Sequence, residues 1–216
     1  MKQEFINLNI EDYKAKGTQR TIFLDPRDNS KCIKVAMLED LEKVKNRSKR
    51  WYKKLRSANA FSENLKEIKF YNSIKNKNEV IYNCIPRYYG TVETNLGQGI
   101  VVDYIDNAIS LKKYIQNNRI TDKLLNAFKF TLNTIYDNLI FIRDPHTENY
   151  VVQEKNGELK LFLIDGLGNP TLINFFNEIP FFKKRAILKR FKRLFRNLKK
   201  EFPQYQEYFK LENFIK

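Results

Sequence analysis

The sequence predicts an α+β chain in two parts, a strand-rich first part with one main helix and a helix-rich second part with one small hairpin. Three observations carry this. Apolar runs broken by dense turn signals fill the chain before about residue 37 and again from Pro86 to about residue 105. The stretch between them, from about Glu39 to Lys77, reads as a long basic helix. After residue 108 the spacing is helical, apart from two short apolar runs flanking the turn "EKNGE".

"RTIFLDPRDNSKCIKVAM" is two short apolar runs around "DPRDNS" and predicts a hairpin. Within the helical stretch, "ENLKEIKFYNSI" repeats Leu65, Ile68, Tyr71 (or Phe70) and Ile74 at helical spacing. Pro86 restarts the chain as the strands "RYYGTVET" and "IVVDYI", joined by "NLGQG". "SLKKYIQNN" opens a helix with Ser110 as N-cap, and "TDKLLNAFKFTLNTIYDNLI" a longer one capped by Thr121 or Asp122. "NYVVQ" and "KLFLID" form the second part's hairpin, and residues from about Thr171 are helical, aromatic and basic. The boundary falls near residues 104 to 108, which divides the chain into 1–105 and 106–216.

With 216 residues, 42% apolar and 30% charged, the chain can bury a substantial core, and disorder is excluded by an aromatic content of 14%. There is no apolar run long enough to span a membrane, and the first residues have no apolar signal core. The expected location is the cytoplasm, with a peripheral position at the inner membrane as a variant of it. Cys32 and Cys84 sit in apolar surroundings and read as buried thiols of a reducing compartment. With His146 as the one histidine, no Cys/His metal cluster can form. The net charge of +15 is the compositional extreme and implies an anionic partner without choosing it.

The chemistry lies in four short stretches. Phosphoryl transfer from a nucleotide needs a cation on the phosphates, oxygen ligands for magnesium, and a carboxylate that orients the incoming hydroxyl. In kinase-fold enzymes these come in a fixed order: a strand Lys, a helix Glu that pairs with it, a D-x-x-x-x-N loop, and Asp-Gly after the next strand. Here Lys34 lies in the apolar strand "CIKV", and Glu67 follows on the helix in "KEIKFY". Asp144 and Asn149 stand five apart in "RDPHTEN", and Asp165 opens "DGLG" directly after "LFLI". Each piece alone has a bland reading: an edge lysine, a solvated helix face, a chance spacing, a turn. Their order, element types and the hairpin between Asn149 and Asp165 together predict a bilobal protein-kinase-like fold, with an antiparallel sheet and one main helix in the first lobe and a reduced, mostly helical second lobe. Asp103, Tyr104 and Ile105 would be the hinge, with backbone groups of Asp103 and Ile105 meeting an adenine edge.

The stretches "KCIKV", "EIKFY", "IPRYYGTVETNLGQGIVVDYI", "RDPHTEN" and "LIDGLG" also resemble the YrbL family of PhoP regulatory network proteins, over about Asp12 to Asn169. "GTVETNLGQG" is the most family-specific part. The resemblance implies a protein-kinase-like fold, ATP and Mg2+ as cofactors, Lys34 and Glu67 as the phosphate-binding ion pair, Asp144 as catalytic base, and Asn149 and Asp165 as magnesium ligands. Several positions depart from kinases generally. The loop that should cover the phosphates, "AKGTQRTIF", has Gly17 as its one glycine. Ile142 stands where protein kinases usually have His, and His146 where they commonly have Lys. No A-P-E segment follows "DGLGNP", which argues for a small acceptor, a sugar or lipid-linked hydroxyl, rather than a protein. His146 either contacts a transferring phosphate or is a structural, solvent-facing histidine.

In "KKRAILKRFKRLFRNLKK", Ile187, Phe191, Leu194 and Leu198 form one stripe among cations. Either the stripe packs on the core with solvated charges, or the helix docks on an anionic membrane or substrate. "KNRSKRWYKKLRS" raises the same choice and adds RNA. Three functions compete: an ATP- and magnesium-dependent phosphotransferase, a catalytically weak kinase-like nucleotide-binding regulator, and a basic nucleic-acid- or membrane-binding module. No nucleic-acid motif is present, so nucleic acid is the least expected partner.

Overall fold

The computed structural model describes residues 5–17, 20–36, 63–118, 120–168 and 179–215. The chain forms two compact units: residues 1–72 with 87–104, and residues 73–86 with 105–216.

The first unit is built on a six-stranded sheet in the order β1-β5-β6-β4-β3-β2. Its strands are β1 (Phe5–Ile6), β2 (Tyr13–Lys16), β3 (Thr21–Asp25), β4 (Asp28–Val35), β5 (Tyr88–Thr94) and β6 (Gly97–Asp103). All neighbours pair antiparallel except β1, which adds to β5 in parallel at the edge. The two expected hairpins are β3–β4 and β5–β6. Alternation along β4 fixes the site. Ile33 and Val35 pack with Ile6, Leu8, Phe23, Val92 and Val101 in the core on one face. Cys32 and Lys34 point the other way, and their cross-strand partners in β6, Val102 and Ile100, are fully buried beside them.

Helix α1 (Glu63–Ile74) lies on that second face. The expected helix from about Glu39 and the basic run "KNRSKRWYKKLRS" fall outside the described residues up to position 62. The apolar stripe expected through Leu65 is shifted: Leu65 is 40% exposed, whereas Asn64, Glu67, Phe70, Tyr71 and Ile74 are buried. One step along a helix rotates a side chain by about 100°, so a stripe that includes Asn64 and Glu67 turns Leu65 out to solvent. Two polar residues take buried positions because partners on the sheet satisfy them.

The second unit contains α2 (Leu111–Asn118), α3 (Asp122–Asp137), α4 (Pro180–Glu201) and a three-stranded sheet. In that sheet the hairpin β8 (Tyr150–Lys155) and β9 (Glu158–Leu163) is extended by β7 (Ile109–Ser110). Ser110 accepts a hydrogen bond from Lys113 N, and Thr121, not Asp122, caps α3 by accepting from Leu124 N. The buried face of α3, including Leu124, Phe128, Leu132 and Ile135, recurs at three- and four-residue steps. Thr131 donates to the Leu161 carbonyl at 2.8 Å and ties α3 to the hairpin. Phe128 meets Phe195, Phe209 and Phe214. The stripe on α4, Ile187, Phe191, Leu194 and Leu198 with Phe195, is buried, so it packs on the core of this unit. No helix among the described residues is long and apolar enough to cross a membrane.

Candidate active site

In the first unit, β4 and α1 place Lys34 and Glu67 against each other, with Lys34 Nζ donating to Glu67 Oε1 at 2.8 Å. Both residues are 3% exposed. Taking two charges out of water is expensive unless each meets a partner, and Glu67 meets two, because Arg20 Nη1 donates to its Oε2. Asn64 locks the helix onto the strand: its Nδ2 donates to the Lys34 carbonyl at 2.9 Å and to the Gln98 carbonyl at 3.3 Å. Arg20 is the residue that sequence reasoning missed. It stands at the head of β3, in the loop "AKGTQRTIF" read as covering the phosphates, and nothing in its spacing marks it as buried. Burial pushes the nearby Cys32 thiol up to about 11 and the Tyr71 hydroxyl well above its ordinary value.

Asp103 ends β6. Its carboxylate accepts from Arg87 N at 2.8 Å and from the Tyr89 hydroxyl at 2.7 Å, and its N–H donates to the Arg87 carbonyl. The side chain is therefore a strand-end brace. What Asp103 can offer a ligand is its carbonyl, which the Cys32 thiol approaches to 3.7 Å. Ile105 lies in the other unit, half-buried.

In the second unit the structure brings Asp144, Asn149 and Asp165 together through backbone contacts. Arg143 N and Asp144 N both donate to the Gly166 carbonyl, at 2.7 and 3.3 Å, and Ile142 pairs with Leu167 in an isolated bridge. Ile164 N donates to the Asn149 carbonyl at 2.9 Å. Asn149 Nδ2 donates to the Asp144 carbonyl at 2.9 Å. Asp165 Oδ1 accepts from Gly166 N at 2.6 Å. Gly166 has φ +73, and a Cβ there would lie 2.7 Å from the Asp144 carbonyl oxygen and 3.0 Å from Asn149 Nδ2. The Asp-Gly pair therefore needs glycine both for its conformation and for its close approach. From the other side α4 braces the loop: the Thr147 hydroxyl donates to Glu201, and Asn197 to the Pro145 carbonyl. His146 Nε2 lies 3.5 Å from Asp144 Oδ1, with both side chains about half exposed. Behind the loop Tyr150 is fully buried and its hydroxyl has no hydrogen-bond partner among the described residues. Burial raises its pKa far above the ordinary range.

Among the described residues no three His, Cys, Asp or Glu side chains cluster closely enough to hold a metal by themselves. Magnesium differs, because it is commonly held by one or two protein oxygens together with substrate phosphates. The donor set fits that chemistry. The amide group of Asn149 gives its nitrogen to Asp144, which turns its oxygen away from that bond, and Asp165 supplies a carboxylate one residue from the contact.

A buried strand lysine paired with a helix glutamate, a braced D-x-x-x-x-N loop, and Asp-Gly after the next strand define an α+β fold of the protein-kinase-like class. The chain belongs to the family of PhoP regulatory network protein YrbL, whose model matches residues 6–199. The uncharacterized protein YrbL of Escherichia coli is 25% identical over 177 residues, 78% of this chain and 76% of that protein. A "probable serine/threonine-protein kinase" of Dictyostelium discoideum is 34% identical over 91 residues, 38% of this chain and 13% of that protein. Among solved structures, Rad53 1–466 in complex with AMP-PNP aligns with a TM-score of 0.49 at 12% identity, over 73% of this chain and 38% of that one.

Proposed function

We propose that the protein is an ATP- and magnesium-dependent phosphotransferase acting on a small hydroxyl acceptor, a sugar or a lipid-linked one. The observation that carries this is the backbone-held junction of the Asp144–Asn149 loop with Asp165–Gly166. In this reading Lys34, held by Glu67, binds nucleotide phosphates, and Asp103 and Ile105 offer backbone groups to adenine. Asn149 and Asp165 would hold magnesium, which when bound neutralises phosphate charge and orients the transferred group. Asp144 orients the acceptor hydroxyl and takes its proton as the oxygen attacks the γ-phosphorus, while the bond to the β,γ-bridging oxygen breaks and ADP leaves.

A second reading, a nucleotide-binding regulator with little turnover, is favoured by the phosphate-covering loop. Gly17, its one glycine, already donates its N–H to the Arg20 carbonyl at 2.8 Å. The test is to return wild-type and Asp144→Asn proteins to a deletion strain. A phosphotransferase loses its cellular effect with this change, because Asn cannot take the proton. Full complementation by Asp144→Asn would sink the enzyme reading and leave the regulator.

A further inference from the structure

Helix α4 presents two faces of different character. Its buried stripe is accounted for by the core of the second unit, and its outward face is exposed. Arg185, Lys189, Lys192, Arg196, Lys199 and Lys200 are all exposed, and at about 100° per residue they fall within a single quadrant or so of the helix, opposite the buried stripe. No acid lies among them: the one acidic residue of the helix, Glu201, is turned to Thr147 and Lys112. The same face begins with an exposed aromatic pair, Phe181 at 68% and Phe182 at 41% exposure, packed edge to face at 5.5 Å. At a rise of about 1.5 Å per residue the strip from Phe181 to Lys200 is roughly 28 Å long. At its far end Lys192, Arg196, Lys199 and Lys200 surround a shallow hollow floored by Phe195 and Phe209.

We infer that this outward face docks on an anionic lipid bilayer, with α4 lying along the surface and Phe181 and Phe182 entering the headgroup region. Charge complementarity selects an anionic surface, and an unbroken row of cations matches one that presents charge along its whole length. The aromatic pair decides between a bilayer and a nucleic acid. Stacking on bases needs aromatic rings spaced along the cation track, whereas here both rings sit at one end, as an interfacial anchor does. Because the apolar stripe of α4 is spent on the core, binding requires both signals, the charges and the two rings. The face opposite the strip braces the loop that carries Asp144, so docking would hold that loop near the bilayer. The inference does not depend on catalysis.

The test is flotation of the full chain with vesicles of phosphatidylcholine alone or of phosphatidylcholine rich in phosphatidylglycerol, without nucleotide. Binding is expected to the anionic vesicles and not to the neutral ones, and to weaken steeply with salt. Arg185→Gln, Lys189→Gln, Lys192→Gln and Arg196→Gln should each weaken partitioning roughly fivefold, the equivalent of about 1 kcal/mol per charge near an anionic surface. The double variant Phe181→Ser/Phe182→Ser should also lose binding while keeping its charge. All these positions are exposed, so an unchanged melting temperature shows that the fold survives. Three results overturn the proposal: no flotation with anionic vesicles, equal flotation with neutral ones, or flotation indifferent to both sets of variants. Tight binding to duplex DNA or RNA that ignores Phe181 and Phe182, without flotation, would assign the strip to nucleic acid instead.

Discussion

In the first unit the charged site residues are almost wholly buried, Lys34 and Glu67 at 3% exposure and Arg20 at 6%, and they hold one another through side-chain contacts. In the second unit the Asp144 and His146 side chains are 46% and 53% exposed, and the loop that bears them is held by backbone hydrogen bonds and by side-chain bonds from Asn149, Thr147 and Asn197, none of them made by the Asp144 carboxylate. On the proposed function, the difference matches what each set would be asked to do. A cation meant for phosphate gains from a low-dielectric setting, but must be kept in place there by an anion. A base meant for a substrate hydroxyl must be reachable, so its position is set through the main chain and its carboxylate is left to the solvent side. Electrostatics and stability are therefore coupled in the first unit and separable in the second.

The sharpest way to break this comparison is to mutate one residue from each side. Asp144→Asn should reduce phosphoryl transfer by about 10²- to 10⁴-fold, yet leave the urea midpoint of the protein where it was. A large loss of stability would show that the loop depends on the Asp144 carboxylate after all. Glu67→Ala should instead cost stability as well as activity. It removes the carboxylate shared by two buried cations, and breaking a buried pair costs about 3–5 kcal/mol, measurable by urea unfolding. A variant as stable as wild type would mean that Arg20 and Lys34 find their compensation elsewhere.

The backbone account of the second unit is sharpened by Gly166→Ala. Placing a Cβ carbon at φ +73 costs about 1–2 kcal/mol by conformation alone, and the 2.7 Å approach to the Asp144 carbonyl adds displacement of the loop. Transfer should fall more than stability does. If the rate is unchanged, the contact between the two segments does not position Asp144. The smallest effect expected concerns the thiols. Burial raises Cys32 to about 11 and Cys84 to about 12, against 9.0 for a free thiol. The folded state therefore holds these protons longer than the unfolded state, and stability should be unaffected below pH 9 and decline as pH rises from 9 toward 12. Below that window neither thiol should react with a colorimetric thiol reagent until the chain unfolds.

Much of this was legible in the sequence, and particular residues show why. Lys34 could be found because a charge in the middle of "CIKV" breaks a strand's apolar pattern, and Glu67 because a helix follows that must cover the exposed side of that strand. Asp144, Asn149 and Asp165 could be found because they come in order after Lys34 and Glu67, with a hairpin of the right size between Asn149 and Asp165. Arg20 could not, since its role depends on a contact with residue 67 that no local pattern reports. Leu65 misled for the same reason: hydrophobicity placed it on the stripe, but the partners of Asn64 and Glu67 set the helix rotation. The parallel pairing of Phe5 and Ile6 with β5 was invisible as well, because two residues are too short to show a period.

The central claim, that Asn149 and Asp165 present a metal to a bound nucleotide, is tested most directly by thermal melting with ATP, with and without magnesium, in wild type and Asp165→Asn. A ligand at about 100 times its Kd stabilises the folded chain by about 2.7 kcal/mol. For a protein of this size that corresponds to roughly 5–10 °C, at about 2–4 °C per kcal/mol. The account predicts such a rise for wild type with ATP and magnesium, and for Asp165→Asn only the part of it that ATP gives alone. No rise in wild type, or an undiminished magnesium increment in Asp165→Asn, would contradict it.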